Sequence, residues 1–297
     1  MKLRLSSRNS AKAALSSLIC LSLVFGCSLP FEPTYTLENL NPSLVKIADE
    51  EYHIHIMSTL AGRTLWIYLP VQEDIFIEAD PNKSEEDTKR FEVNSIEGYL
   101  KDGTMGFQYD AQELPEDIKE RQKTTFNPNV SDKINKVLRS VRRVLFSLKR
   151  HKDEPQFFVM AVADTKKGIE MITITFVDDF KKAFYEIISW TEYQHRAVQN
   201  IGLSFEAIGD LEGKHLKLQD MDFRSFLIEQ MKQRIRIKFN HPEVEKGTDV
   251  DREVIKSIKK VLEIYKFEDF SFLELKNLFT SKNTSLSRAA VLEKAKE

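Results

Sequence analysis

Two histidines near the N-terminal end of the chain could bind a metal ion. His53 and His55 lie in residues 52–57, where apolar and polar side chains alternate as in a half-buried strand. Residues two apart on a strand project from the same face, so both imidazoles could reach one metal ion, with Glu51 as the third ligand. An exposed strand face without a metal is the alternative, and we favour it because Glu51 is the only local third ligand.

A second pair with metal-ligand spacing lies further along the chain. Glu192 and His195 are three residues apart, as in carboxylate-bridged metal centres, but such centres need this motif twice and further carboxylates. The sequence contains the motif once, which favours a surface or packing role for both side chains. The sequence also lacks a glycine-rich phosphate loop, a nucleophile elbow and a paired-histidine zinc helix.

Three aspartates stand where an acid could act in catalysis. Asp164 follows an apolar run, a position where α/β enzymes often keep an acid, but residues 165–168 are Thr-Lys-Lys-Gly and favour a polar turn. Asp178 and Asp179 are adjacent at a predicted helix start, where carboxylates usually interact favourably with the helix dipole. We therefore predict no catalytic residue and no cofactor.

One predicted helix carries a dense row of positive charge. Residues 131–148 show apolar side chains at the spacing of a single buried stripe, which predicts an amphipathic helix. Its other face could lie against anionic lipid headgroups, although a solvated helix face is the alternative. The possible membrane-surface patch consists of Lys133, Lys136, Arg139, Arg142 and Arg143.

The periodicity of the rest of the chain predicts an α+β fold, with mixed or antiparallel sheets packed against amphipathic helices. Further helices are predicted near residues 178–188, 222–231 and 249–265. Residues 157–163 are apolar at every position, which predicts a strand buried on both faces. Strands are also predicted at 64–71, 73–78, 169–176, 234–239 and 270–275, and residues 91–100 and 104–109 form a predicted hairpin closed at Asp102-Gly103.

The chain divides into four predicted parts. A leader covers residues 1–26, an extended, proline-containing tether covers 27–48, a β-rich region covers 49–112 and an α+β region covers 113–297. A polar connector at 114–129 is the candidate boundary between the last two, which could also form one domain.

The leader predicts where the protein is held. Its basic residues precede about a dozen apolar ones, too few to span a bilayer, which is typical of a secretory signal. Its end, Leu23-Val24-Phe25-Gly26-Cys27, resembles the lipobox of bacterial lipoprotein precursors. The resemblance implies cleavage before Cys27, a lipid on its sulfur and, since Ser28 follows, the periplasmic face of the outer membrane in bacteria with two membranes.

Composition excludes several classes of protein. The 297 residues carry 44 basic and 46 acidic side chains, a net charge of −2, which does not fit a general nucleic-acid binder. The two cysteines are Cys20, which leaves with the leader, and Cys27. The mature chain would therefore have no disulfide, cysteine–zinc site or cysteine nucleophile.

These observations predict a lipid-anchored cell-envelope protein that acts as a non-catalytic binding or assembly component with an envelope protein as partner. One alternative is a metal-dependent envelope hydrolase that uses His53 and His55. Another follows from residues 286–289, Leu-Ser-Arg-Ala, which resemble the tail of outer-membrane-protein-A-like peptidoglycan-binding domains. That resemblance implies a peptidoglycan-associated lipoprotein, although the acidic residue that the family carries ahead of this tail has no counterpart here.

Overall fold

Helices and strands are interspersed along the chain and do not segregate into separate halves. The computed structural model describes residues 34–80, 86–121, 123–240 and 244–293. The predicted leader, Cys27 and the first part of the predicted tether lie outside these residues. In the described part the predicted α+β class is confirmed, with seven α-helices and three mixed or antiparallel sheets. None of the described helices is both long enough and apolar enough to cross a membrane.

The helices and strands have the following bounds. The helices are α1 (Leu37–Tyr52), α2 (Pro128–Phe146), α3 (Val177–Phe184), α4 (Trp190–Arg196), α5 (Phe223–Asn240), α6 (Val250–Tyr265) and α7 (Arg288–Leu292). The strands are β1 (Met57–Ala61), β2 (Thr64–Val71), β3 (Phe76–Glu78), β4 (Glu86–Lys101), β5 (Thr104–Arg121), β6 (Thr124–Phe126), β7 (Phe157–Asp164), β8 (Ile169–Phe176), β9 (Val198–Leu203), β10 (Phe272–Asn277) and β11 (Lys282–Ser287).

A five-stranded sheet has the order β1-β2-β7-β8-β9, in which β2 and β7 are parallel and the other pairs antiparallel. All eight residues of β7 are buried, so the predicted central strand is confirmed. One face of this sheet packs against α1, α2 and α3. The other face packs against the start of α5 and against residues 205–221, a segment that we call the cover.

A four-stranded sheet has the order β11-β10-β5-β4, with β10 parallel to β5. The predicted hairpin is confirmed: β4 and β5 join at Asp102 and Gly103, whose φ angles of 51° and 76° are the left-handed values that a tight turn requires. One face of this sheet packs against α5 and α6. Burial along β10 alternates, so its other face is exposed. The short strands β3 and β6 pair with each other.

Helix α5 connects the two sheets and corrects one prediction. Residues 234–239, predicted as a strand from their strict alternation, continue the helix to Asn240. The alternation arises because apolar residues serve two surfaces: Phe226 packs on the five-stranded sheet, while Met231, Ile235 and Phe239 pack on the four-stranded sheet. A helix buried on two sides has no single apolar stripe, and the helical periodicity is therefore weak.

Helix α1 corrects two predictions. Residues 37–48, predicted as part of an extended tether, are helical, and 52–57 do not form the predicted strand, because β1 begins only at Met57. Leu40, Leu44 and Ile47 have helical spacing and are buried, and their burial outweighs the effect of the internal Pro42. At its start, the backbone N–H of Thr36 donates to Asn39 Oδ1 at 2.7 Å.

The predicted connector at 114–129 is also wrong in its first part, since residues 114–121 belong to β5. The physical reason is pairing with β4, which supplies hydrogen-bond partners to a polar strand that the sequence alone would leave as loop. Strands from the two predicted regions, 49–112 and 113–297, pair within both larger sheets, as β2 does with β7.

Candidate functional site

His53 and His55 lie in the segment that joins α1 to β1, not on a strand. His53 ends α1 in the left-handed conformation, with a φ of 54°. Both histidines nevertheless line one cleft of about 240 Å³, with Lys133 and Glu73 in its wall. Lys133 Nζ and Glu73 Oε1 are 2.5 Å apart, and this hydrogen bond is the main reason that the pKa of Glu73 is below its ordinary value.

The third ligand predicted for these histidines is engaged elsewhere. Glu51 lies on α1 and forms an ion pair with Arg143 of α2. Over the residues described, no group of three or more His, Cys, Asp or Glu side chains lies close enough together to hold a metal ion. The strand geometry behind the predicted site is therefore wrong, although the two histidines share a cleft.

The basic face of α2 is largely engaged in pairs. Besides the Lys133–Glu73 and Arg143–Glu51 pairs, Lys136 pairs with Asp132 at 2.7 Å. Arg142 lies 5.0 Å from the ring centre of Phe184, within the range of a cation–π interaction. Arg139 is exposed. The membrane-surface role of this patch stays a prediction.

Asp164 at the end of β7 is fully buried and stabilises a turn. Its Oδ1 accepts hydrogen bonds from the backbone N–H groups of Lys166 and Lys167, at 2.9 and 3.0 Å. Its Oδ2 is buried without a hydrogen-bond partner among the described residues. The polar turn that we predicted at 165–168 therefore forms, with Asp164 as its anchor.

A buried ion-pair network joins α3, α4, α5 and α6. Asp179 is 1% exposed, and it accepts from Arg196 Nη1 at 2.8 Å and from the hydroxyl of Tyr265 at 2.5 Å. Glu192 Oε1 in turn accepts from Arg196 Nε and from Arg234 Nη2, both at 2.8 Å. Asp179 thus does more than interact with its own helix dipole, because it ties α3 to both α4 and α6.

The charges of this network fix its protonation. Burial alone would raise the pKa of Glu192, but the hydrogen bond from Arg196 and the charge of Arg234 hold it below the ordinary value. Burial and the negative charge of Asp179 raise the pKa of Tyr265. Near neutral pH, Glu192 therefore stays deprotonated and Tyr265 stays protonated.

A second cluster connects the cover to the five-stranded sheet. His215 lies between two carboxylates: its Nδ1 is 2.6 Å from Asp210 Oδ2, and its Nε2 is 2.9 Å from Glu170 Oε1 on β8. Burial would lower the pKa of His215, but the hydrogen bonds to these carboxylates raise it. The pKa of Asp210 falls to about 2, because hydrogen bonds from His215 and from backbone N–H groups outweigh its desolvation. Tyr68 packs edge-on against the imidazole.

A third cluster forms a groove between α4, α5 and α6, which we call the basic groove. It has a volume of about 180 Å³ and is lined by His195, Arg234, Ile237, Lys238, Lys256, Ser257 and Lys260. Glu253 lies between two of the lysines, 2.5 Å from Lys238 Nζ and 2.6 Å from Lys256 Nζ. Although burial alone would raise the pKa of Glu253, these hydrogen bonds hold it below its ordinary value.

The basic groove was not predicted from the sequence, because residues 234–239, which form one of its walls, were predicted to be a strand. On a helix, Arg234 and Lys238 are four residues apart and share one face of α5. On α6, Glu253, Lys256 and Lys260 are likewise spaced by three and four residues. The two polar stripes could have been found in the sequence once both segments were taken as helices.

Comparison of the whole chain with protein-family models, with characterised proteins and with solved structures finds no match.

Proposed function

We propose that this protein is a lipid-anchored component of a bacterial cell envelope, and that it acts by binding or assembly without catalysing a reaction itself. The leader and the lipobox-like sequence that ends at Cys27 support the anchor. The partner would be an envelope protein at the periplasmic face of the outer membrane.

The observation that carries the non-catalytic part is the pairing of four buried or half-buried acids in the helices. Asp179 and Glu192 are held by arginines, Glu253 by two lysines, and Asp251 accepts from the hydroxyl of Tyr109 and from Asn277. An acid or base works best when its pKa lies near the working pH. The pKa values of Glu192, Glu253 and Asp251 are instead held below their ordinary values, although burial alone would raise each of them.

The anchor is tested by mass spectrometry of the N-terminal peptide from the native protein. We expect the mature chain to begin at Cys27 and to carry a diacylglyceryl group on its sulfur. The Cys27→Ala variant should then lose its attachment to membranes and appear in the soluble fraction. An intact leader, or an unmodified thiol at Cys27, would overturn the proposal.

The non-catalytic part is tested by metal analysis, because His53 and His55 share a cleft. We expect the wild-type protein and the His53→Ala, His55→Ala double variant to contain the same background level of transition metal. One equivalent of zinc, manganese or iron that is present in the wild type and lost in the double variant would instead favour the metal-dependent hydrolase.

A further inference from the structure

We propose that the basic groove binds a phosphate group, either as inorganic phosphate or as the headgroup of an anionic phospholipid. This inference deepens the binding role proposed above, but it does not depend on the lipid anchor. It rests on three features of the groove: a buried donor without an acceptor, an excess of positive charge and a small volume.

The buried donor belongs to Arg234. Its side chain is 14% exposed and is held in place by the 2.8 Å hydrogen bond from Nη2 to Glu192. Its Nε is buried and has no hydrogen-bond partner within the described residues. Leaving a buried donor of a charged group unpaired is unfavourable. A small rotation of the Arg234 side chain would turn Nε toward the groove, where an oxyanion would supply the missing acceptor, and guanidinium groups match phosphate oxygens well.

The charges around the groove do not balance. Arg196, Arg234, Lys238 and Lys256 share the carboxylates of Asp179, Glu192 and Glu253. Lys260 adds a further positive charge at the rim, and no described carboxylate lies within ion-pair distance of it. Each of Glu192 and Glu253 is thus shared between two cations. An added anion would lower the repulsion among them.

The size of the groove selects a single small group. Sites for drug-sized ligands occupy roughly 300–1,000 Å³. The volume of about 180 Å³ found here is smaller, and it leaves room for one tetrahedral oxyanion beside the lining side chains. Lysine binds phosphate as a flexible point charge, so Lys238, Lys256 and Lys260 can close on such a group from two helices. Nucleotides and other large phosphate esters would extend beyond the groove.

The simplest alternative is that the groove is only a structural contact between α5 and α6. Gln230, one turn before Arg234 on α5, also has an unpaired buried atom, Oε1, in the described part of the molecule, while its Nε2 donates to the carbonyl of His195 at 2.8 Å. Ordered water could satisfy both buried atoms without any anion. The two cases differ in whether phosphate binds more tightly than chloride.

The test is calorimetric titration of the full-length chain, purified in a non-ionic detergent, with inorganic phosphate at constant ionic strength set by chloride. We expect saturable binding with one site per chain. Arg234→Gln should raise the dissociation constant about tenfold and Lys260→Gln about threefold. Lys276→Gln, which removes an exposed cation from the open face of β10, is the matched control and should leave the dissociation constant unchanged.

A second arm separates the two sources of the phosphate group. Vesicles of phosphatidylcholine with one fifth phosphatidate are compared with pure phosphatidylcholine vesicles by co-sedimentation. Retention on phosphatidate vesicles that Lys260→Gln weakens and Lys276→Gln does not weaken would identify a lipid headgroup. Binding of inorganic phosphate with no preference for phosphatidate would identify the free ion.

The proposal is overturned if neither probe binds better than its chloride or phosphatidylcholine reference, or if Lys260→Gln and Lys276→Gln bind both probes as the wild type does. Lys260 is exposed, so its variant should fold even if Arg234→Gln does not, and circular dichroism checks this for both. Failure of phosphate binding leaves the mass-spectrometric test of Cys27 unaffected, so the two proposals can fail separately.

Discussion

The two larger sheets bury their central strands in different ways. In the five-stranded sheet β7 is covered on both faces, by α1 to α3 on one side and by α5 and the cover on the other, and all of its residues are buried. In the four-stranded sheet β10 is covered on one face only, and buried and exposed residues alternate along it. The same contrast appears in the sequence, as an unbroken apolar run in β7 and an alternating one in β10.

The contrast shows which positions of each sheet are sensitive to a polar substitution. A strand enclosed on both faces tolerates a charged side chain only where hydrogen bonds receive it, as the backbone N–H groups of Lys166 and Lys167 do for Asp164 at the end of β7, because a buried charge without a partner is strongly unfavourable. A strand open on one face tolerates such changes at every second position. Each sheet also has its own buried aspartate: Asp179 lies behind the five-stranded sheet, and Asp251 lies beside the four-stranded sheet.

The largest expected effect comes from placing a charge in β7. Val159→Asp puts a carboxylate at a position that is 0% exposed, and we expect loss of the folded state at room temperature. Lys276→Asp, at an exposed position of β10, is the matched control and should change the free energy of unfolding by no more than about 0.5 kcal/mol. Circular dichroism and urea unfolding measure both. Equal losses of folding free energy in the two variants would contradict the contrast between β7 and β10.

A smaller effect is expected from Asp179→Ala. The substitution leaves Arg196, whose side chain is 12% exposed, without one of its two carboxylates and leaves the hydroxyl of Tyr265 unpaired. Breaking a buried ion pair on one side costs about 3–5 kcal/mol, which we expect as the drop in the free energy of unfolding in urea. A drop below about 1 kcal/mol would mean that the network does not hold α3, α4 and α6 together.

Asp251→Ala should have a smaller effect than Asp179→Ala. We expect it to lower the free energy of unfolding by about 1–3 kcal/mol, because the ionic partner of Asp251, Lys282, is 55% exposed. Burial would raise the pKa of Asp251, but the hydrogen bonds from Lys282, Tyr109 and Asn277 lower it. A carboxyl with a lowered folded-state pKa stabilises the protein above its unfolded pKa, about 3.9, and loses this contribution as the pH falls through the folded value.

The stability difference between wild type and Asp251→Ala should therefore shrink in acid. Urea unfolding at pH 6 and at pH 3 measures it, with Asp251→Asn as a control that keeps one hydrogen-bond acceptor without the charge. A difference that is unchanged at pH 3 would show that the carboxylate charge does not contribute to the stability of the four-stranded sheet.

The smallest effect concerns the cover on the second face of the five-stranded sheet. His215 has a raised pKa, because its hydrogen bonds to Asp210 and Glu170 outweigh its burial. A histidine with a raised folded-state pKa stabilises the fold fully below its unfolded pKa, about 6.5, and the contribution is lost as the pH rises through the folded value. The stability that His215→Gln removes should therefore be greater at pH 5.5 than at pH 9.

Hydrogen exchange of the backbone amides in residues 205–221 tests whether the loss of stability at high pH is confined to the cover. Exchange in the cover should accelerate at pH 9 relative to the intrinsic rate in the wild type, and amides of β10 should show no such change. Equal acceleration in both regions would indicate global loosening instead.

Secondary structure could be predicted from the sequence wherever the apolar residues of a helix or strand follow a single regular spacing. Strand β7, the hairpin at Asp102 and helix α6 follow from local periodicity and turn residues, and the structure confirms them. Helix α5 was predicted only in its first half, near 222–231, because its apolar residues are divided between two sheets. Helix α1 was not predicted, since Pro30, Pro33 and Pro42 of the predicted tether favour an extended chain and only the packing of α1 against α2 and the sheet shows why it is helical.

The candidate site was harder to predict than the fold. The basic groove depends on the spatial approach of α4, α5 and α6, which no local pattern encodes. His53 and His55 were identified by spacing, and the structure brings them to one cleft for a different reason, because the chain turns at the end of α1. Residue spacing thus identified side chains that could take part in a site, while packing decided which of them meet.

The parallel pairing of β10 with β5 has a consequence for synthesis of the protein. Phe272 pairs with Thr104 and Asn277 with Tyr109, so one edge of β5 stays unpaired until the ribosome has added residues 272–277, more than 160 residues after β5 begins. Contacts this distant in sequence form slowly, and an unpaired edge favours aggregation in the meantime. A nascent or truncated chain that ends before residue 272 should therefore need a chaperone to stay soluble.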